Sequence, residues 1–321
     1  MSFSRSIREP PPLAEKITDE PITSRTAQST VTCAYMANIS GYWRKVTVTW
    51  CKNLMSHFFT VAIQSPGSDF RCHTCKVDLK PWHFWSKKGF KSFEIEPAAA
   101  VDVFWDLRSA KFAAGPEPFA DFYVALVCDE EVALLIGDIK KKAYKRTKSR
   151  PALVDAVLFC KKENVFAKRS FSTRARFDER RRTAHDIVVE SSTGSGGARD
   201  PEMWISIDGI VLIHVKNLQW KFRGNQTVVI GGGGADVGGG VVNQTVQVFW
   251  DVHDWLFGSS GNGHGLFIFK PGIAEPESEK EEGGGGSAHG SDTGSLYYST
   301  ISNNNSNANE FCLFLHAWKI E

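Results

Sequence analysis

The sequence predicts an all-β protein, a mostly antiparallel β-sandwich or open barrel built from two sequence-related halves, with at most one or two short helices. Three observations lead there. Apolar and polar residues alternate at a period of two, as in Val46-Thr47-Val48-Thr49-Trp50 and Cys75-Lys76-Val77-Asp78-Leu79, which sends successive side chains to opposite faces of a sheet. Aromatics make up 12% of the 321 residues, with ten Trp and twenty-two Phe, and bulky rings suit half-buried pleated surfaces. The chain also echoes itself: Val101-Asp102-Val103-Phe104-Trp105-Asp106 returns as Val246-Gln247-Val248-Phe249-Trp250-Asp251, each preceded by a Lys-Asn-Leu copy at Lys52 and Lys216. Self-similarity of this kind sets the architecture before any motif is read.

Taken in order, residues 1–29 carry Glu9-Pro10-Pro11-Pro12 and Ser/Thr-rich text, too polar to offset the entropy of ordering, and are expected to form a disordered arm. Residues 30–150 form the first β half and 151–321 the second, with the option of one intertwined domain. Phe58–Ile63 is an apolar strand, and Pro81 ends or edges the strand before it. Trp82–Trp85 is expected to pair with Lys91–Glu96 across Ser86-Lys87-Lys88-Gly89. Gly115-Pro116-Glu117-Pro118 is a turn, and Phe122–Cys128 with Val132–Ile136 forms a hairpin around Asp129-Glu130-Glu131. Asp138 is a candidate N-cap for a helix running through Arg146. Strands resume at Ala152–Cys160, Phe171–Phe177 and Ile187–Val189. Trp204–Ile207 turns at Asp208-Gly209 into Ile210–Val215, and Gln219–Phe222 precedes a break at Gly224-Asn225. Gly231–Gly240 falls at a loop tip between Thr227–Ile230 and Val241–Trp250, since glycine is costly inside a strand and cheap in a connection. Further polar inserts occupy Ser191–Ala198, Glu275–Thr293 and Ser302–Asn309. Leu266–Phe269 and Phe311–Ile320 close the order.

No apolar run approaches the roughly 18 residues of a spanning helix, and the first thirty residues lack an apolar signal centre. The expectation is a soluble, cytoplasmic protein with nuclear entry as a second option. Seven scattered Cys do not form a secreted disulfide framework. The net charge of +2 hides an asymmetry, because Lys140–Arg182 holds sixteen Lys/Arg against four Asp/Glu. A cationic zone on an acidic body argues about partners rather than fold.

Within that zone the period of two turns Phe171, Ala175 and Phe177 inward and leaves Arg174 and Arg176 outward, near Lys168, Arg169, Arg180, Arg181 and Arg182. These seven are the candidate anion-binding residues, suited to anionic lipid at about 1 kcal/mol per residue near the surface, to nucleic acid through its phosphates or to a nuclear-import signal; a solvated face is the bland alternative. No layout for reading bases is present, so sequence-specific nucleic acid is not expected. Trp105, Trp250, Trp220 and Trp82 are the candidates for lining an apolar ligand cavity, against a plain core role. Cys72-His73-Thr74-Cys75 has half a zinc spacing without the other half, His185-Asp186 and His253-Asp254 lack a nucleophile elbow, and the glycine tracts lack the Lys-Ser/Thr of a phosphate loop. Catalytic residues, metal ligands and cofactors are therefore all expected to be absent, and an enzyme is the least expected reading.

Several ordered strings carry a resemblance: Gly115-Pro116-Glu117-Pro118, Phe122-Tyr123-Val124-Ala125-Leu126-Val127, Leu218-Gln219-Trp220-Lys221-Phe222-Arg223-Gly224-Asn225, Val246 through Phe257, and Ala317-Trp318-Lys319. Over about residues 30–321 the chain resembles a plant family catalogued as domain of unknown function 868. The resemblance implies a land-plant protein with no established activity and no catalytic or ligand residues to carry over. Against the family pattern, Gly231–Gly240, Gly283–Gly286 and Asn303–Asn305 read as insertions. The expected function is a non-enzymatic binding or scaffold protein, taking an apolar small ligand in an aromatic-lined cavity or meeting an anionic lipid surface or protein partner through the basic zone. A nuclear adaptor using that zone as an import signal is the alternative.

Overall fold

The structure, a computed structural model, describes residues 28–65, 72–79, 84–95, 99–113, 115–167, 169–177, 183–192, 200–231, 244–258, 263–272 and 311–319. Nearly all of the expected N-terminal arm, the glycine tract beyond Gly231 and nearly all of the three other polar inserts lie outside these residues, as does Trp82.

Alternation produces strands wherever it was read. The first half opens with β1 (Ser29–Ile39), β2 (Tyr42–Lys52), β3 (His57–Gln64) and β4 (Cys72–Asp78), an antiparallel meander. It crosses to a second sheet through β5 (Lys88–Ile95) and β6 (Ala99–Asp106), a small pair β7 (Lys111–Phe112) and β8 (Pro118–Ala120), then β9 (Tyr123–Cys128) and β10 (Glu131–Gly137). Helix α1 (Lys140–Thr147) and the short β11 (Arg150–Pro151) lead to the long β12 (Val157–Ala167). The second half repeats the order four and four: β13 (Ser170–Ala175), β14 (His185–Ser192), β15 (Glu202–Ile207) and β16 (Ile210–Val215), then β17 (Arg223–Ile230), β18 (Gln244–Asp251), helix α2 (His253–Phe257), β19 (His264–Pro271) and β20 (Cys312–Lys319). Three two-residue hairpin turns, at Ser40-Gly41, Asp129-Glu130 and Asp208-Gly209, place both central residues at positive φ, the geometry whose twist matches the strands it joins.

One sheet runs through both halves. Its nine strands lie in the order β17-β18-β19-β20-β12-β1-β2-β3-β4, with β12 antiparallel to β1 and parallel to β20. A single row on its outer face can be followed from edge to edge: Lys76, Thr60, Thr49, Thr32, Lys162, Phe314, Ile268, Phe249, Asn225. The inner face is covered twice, by β11-β10-β9-β6-β5 over the first half and by β13-β14-β15-β16 over the second. The sheets are open, so the sandwich rather than the barrel is the architecture.

Two cores result. In the first, Trp50 lies 4.9 Å from Phe59 and 6.0 Å from Phe122, and Phe59 lies 6.1 Å from Trp105. In the second, Phe171 packs at 5.5 Å from Phe267 beside Trp255. A smaller cluster lies on the outside of the covering sheet, where α1 presses Ala143, Ile139 and Tyr144 onto Tyr123, Ala125 and Val127. That third layer explains why β9 is apolar at every position and buried on both faces.

Four local expectations change. The strand expected from Ala152 begins only at Val157, and residues 152–156 are a loop. Phe84–Lys87 is a 3-10 turn, and β5 pairs directly with β6 rather than with a strand at Trp82–Trp85. Residues 218–220 form a turn, while Gly224-Asn225 sits inside β17 instead of breaking it. Asp138 does not cap α1, whose N-cap position is Ile139; its carboxylate instead accepts the backbone N–H groups of Asp121 and Phe122 at 3.0 and 3.1 Å, pinning the end of β10 to the start of β9.

Candidate functional site

Trp105 and Trp250 occupy matching settings in separate cores. Each indole N–H donates to a backbone carbonyl, Trp105 to Ser86 at 2.9 Å and Trp250 to Lys221 at 3.1 Å. Each ring lies over a glycine on the neighbouring strand, Gly89 and Gly224, so close that a Cβ at either glycine would collide with it. The following carboxylates bind arginines and the backbone: Asp106 takes Arg108 in a fork at 2.9 and 2.8 Å, and Asp251 takes Arg223 at 2.8 Å. Trp220 is 81% exposed in the turn before β17. Thus the candidate cavity residues in the described part of the chain do not converge on one space.

The basic zone is divided by the fold. Arg174 and Arg176 point outward and Phe171, Ala175 and Phe177 inward, as the alternation requires, but Arg174 is held by Asp186 at 2.7 Å. Arg169 is exposed; Lys168 and Arg180, Arg181 and Arg182 lie outside the residues whose side chains are described. Arg150 is met by Glu131 at 3.1 Å. Apart from Lys161 and Lys162 on β12, the remaining described cations gather on α1, where Lys140, Lys141, Lys142, Lys145, Arg146 and, just past its end, Lys148 are all exposed, with no acidic residue in the first turn.

Lys161, counted in the same zone by sequence, is not at the surface. It faces inward on β12, 9% exposed, and its three N–H groups go to Glu117 at 3.0 Å, Glu163 at 2.8 Å and the Arg174 carbonyl at 3.0 Å. An ammonium has three donors and all are used. Thr173 donates to Glu163 at 2.6 Å and the Cys33 thiol to Glu117 at 3.7 Å. Burial alone would discharge Lys161; Glu117 and Glu163 outweigh it and hold the pKa above that of an ordinary lysine. Burial, followed by Glu117, pushes the Cys33 thiol up. The cluster joins Glu117 of the first half, the shared strand β12, and Thr173 and Arg174 of the second half. Chemically it is a clamp, because one ammonium bridges two carboxylates and has no donor left over.

Other candidates stay apart. Cys72 faces outward and Cys75 inward on β4, so their side chains cannot share an ion. His185 binds Asp208 at 2.7 Å rather than its neighbour Asp186, whereas His253 does bind Asp254 at 2.9 Å. A pocket of about 190 Å³ opens at one end of the first sandwich, between the β1–β2 and β9–β10 turns, lined in part by Ser40, Cys128 and Asp129. Sequence reasoning missed it. Its residues come from turns nearly ninety positions apart, and only the pairing of sheets brings them together.

A family model described as plant protein of unknown function (DUF868) matches residues 26–319. The chain belongs to that family. No curated protein and no solved structure matches it. No helix among the described residues of this DUF868 protein is long and apolar enough to cross a membrane.

The outer face of the nine-stranded sheet supplies a titration that can be read. His316 stacks with His264 at 5.8 Å, and His264 with Trp318 at 4.7 Å. Burial first, then Lys162 and His264, lower the His316 pKa to about 4. An unfolded histidine titrates near 6.5, so between about 6.5 and about 4 the unfolded DUF868 chain takes up a proton that the native state refuses. Stability therefore falls as pH drops through that window and levels below it. In urea unfolding at pH 7 and pH 4.5, His316→Gln is expected to lose less stability between the two pH values than the wild type; an unchanged difference would show that His316 does not contribute.

Proposed function

We propose that this protein is a non-enzymatic docking protein that meets an anionic lipid surface through α1 and the loop that follows it. The observation that carries the reading is the set of six exposed cations on and just after α1, followed by Leu153 and Val154 at 88% and 53% exposure. Burial and then the Asp155 charge of that loop raise the Tyr144 phenol pKa on α1. Cations beside exposed aliphatic side chains suit a bilayer, where charge attracts and apolar groups enter the headgroup boundary. Nucleic acid would use the charge but leave Leu153 and Val154 in water. Ala143, fully buried, anchors the helix to the sheet, so the cationic face is presented by a rigid body.

The test is sedimentation with phosphatidylserine-containing and neutral vesicles across a salt series. Lys140, Lys141, Lys142 and Lys145 changed together to Gln are expected to weaken binding to the anionic vesicles on the order of a hundredfold, from roughly 1 kcal/mol per cation reduced by screening. Leu153→Ser with Val154→Ser is expected to weaken binding with little change in salt dependence. Unaltered binding by both variants would overturn the reading. Loss of nuclear accumulation of a fluorescent fusion, with vesicle binding intact, would assign the run to an import address instead.

A further inference from the structure

All seven cysteines are free, and two of them are registered partners on neighbouring strands: Cys160 on β12 stands opposite Cys312 on β20. No other cysteine faces a cysteine in the described ladders. The two strands run parallel, so opposed residues leave the sheet side by side on one face. Their neighbours settle which face. Lys161, Leu313 and Leu315 are buried inward, whereas Lys162 is exposed and Phe314 half-buried, and the period of two then turns both Cys160 and Cys312 outward. Each is half-buried.

Adjacent strands lie about 4.8 Å apart, inside the roughly 4.4–6.8 Å of Cα separation that a disulfide spans. The thiols also sense one another. Burial, and then Cys160, raise the Cys312 pKa to about 12. Burial raises Cys160 as well, but Lys45 and Lys162 pull against it, so Cys160 is the thiol whose ionised form has two cations beside it. Two thiolates are half of a tetrahedral zinc set, and among the described residues no third ligand joins them. The chemistry left to a registered pair of thiols is with each other.

We propose that Cys160 and Cys312 are a modification site, a reversible disulfide formed by hydrogen peroxide that joins the shared strand β12 to the last strand β20. The Cys160 thiolate attacks one peroxide oxygen, the O–O bond breaks, and a sulfenic acid forms as hydroxide leaves. Cys312 then attacks the Cys160 sulfur, the S–O bond breaks, and the oxygen departs as water with the Cys312 proton. Two thiols thereby lose two electrons and two protons, and one peroxide becomes two waters. Because burial keeps thiolate scarce at both positions, the pair reacts slowly and only where peroxide accumulates. The same burial leaves the reduced pair without the stabilisation that ionisation gives, which favours the disulfide once it has formed. The bond would fix β20 in the middle of the nine-stranded sheet. It lies on a different face from α1, which packs on the covering sheet, and stands or falls separately from the lipid reading.

The full chain is treated with graded hydrogen peroxide at pH 7, the remaining thiols are blocked with iodoacetamide in denaturant, and peptides are read by mass spectrometry with and without dithiothreitol. The peptides holding Cys160 and Cys312 are expected to appear joined, lighter by two hydrogens than their sum, with alkylation of both falling severalfold in parallel and restored by dithiothreitol. Cys312→Ser is expected to stop the chemistry at the Cys160 sulfenic acid, captured by dimedone, and Cys160→Ser to leave Cys312 alkylated. Hydrogen exchange over residues 312–319 is expected to slow severalfold in the oxidised wild type, the mark of a strand held in place. No joined peptide, a partner for Cys312 other than Cys160, joining that appears only after the circular-dichroism spectrum has collapsed, or exchange unaltered by oxidation would each overturn the proposal.

Discussion

Lys161→Ala is expected to cost about 3 kcal/mol of stability, because it leaves Glu163 buried and Glu117 half-buried without their cation. Urea unfolding monitored by circular dichroism measures it. Neighbouring surface lysines provide the comparison: Lys162→Ala, on the opposite face of the same strand and exposed, should stay within about 0.5 kcal/mol. The physical content lies in a third variant. Changing Glu117, Lys161 and Glu163 together to Leu, Met and Leu removes both charge and partner, and replacing a buried ion cluster by apolar groups of similar volume is often neutral or stabilising. Thr173, which donates to Glu163, would then lose its acceptor, so a small residual loss of about 1 kcal/mol is expected. If the triple variant were as unstable as Lys161→Ala, the clamp would owe its strength to shape instead of to ion pairing.

Trp250→Ala is the second large expectation, at about 3–5 kcal/mol, the range for removing a buried large aromatic. The glycine opposite makes the assignment specific. Gly224→Val should also destabilise, by about 1–3 kcal/mol from overpacking, since the new side chain meets the indole ring. The two changes combined should cost less than their sum, because the valine then enters space that the indole vacated. Additive losses would show that ring and glycine do not share that space. The same cycle at Trp105 and Gly89 is expected to behave alike, given the matching indole hydrogen bonds and register.

Those glycines show where sequence reading stops. By sequence Gly89 reads as the end of a hairpin loop and Gly224 as a break, because a glycine weakens an isolated strand; what makes each tolerable lies on another strand, in a ring that fills the missing side chain's place. Alternation, by contrast, was legible, since Val46, Val48 and Trp50 or Arg174 and Arg176 declare their faces from period alone. Charge was legible as composition but not as location. Lys161 and Glu163 alternate within β12 as a surface strand would, and only the pairing of β12 with β1 and the covering by β13 turn them into an interior clamp. Arg44 falls on the inward row of Val46, Val48 and Trp50 by period, yet its charge and its neighbours Trp43 and Lys45 give no sign that it is only 2% exposed.

The place of β20 between β12 and β19 bears on how the molecule is made. Residues 312–319 follow every other described strand along the chain, yet they fill the middle of the broadest sheet. During translation, the first half can assemble from strands already emerged, while β12 and β19 each present a bare ladder to the gap awaiting β20. A nascent chain is thus most open to capture by chaperones, or to pairing with another molecule, along a seam that vanishes once the last ribbon slides in.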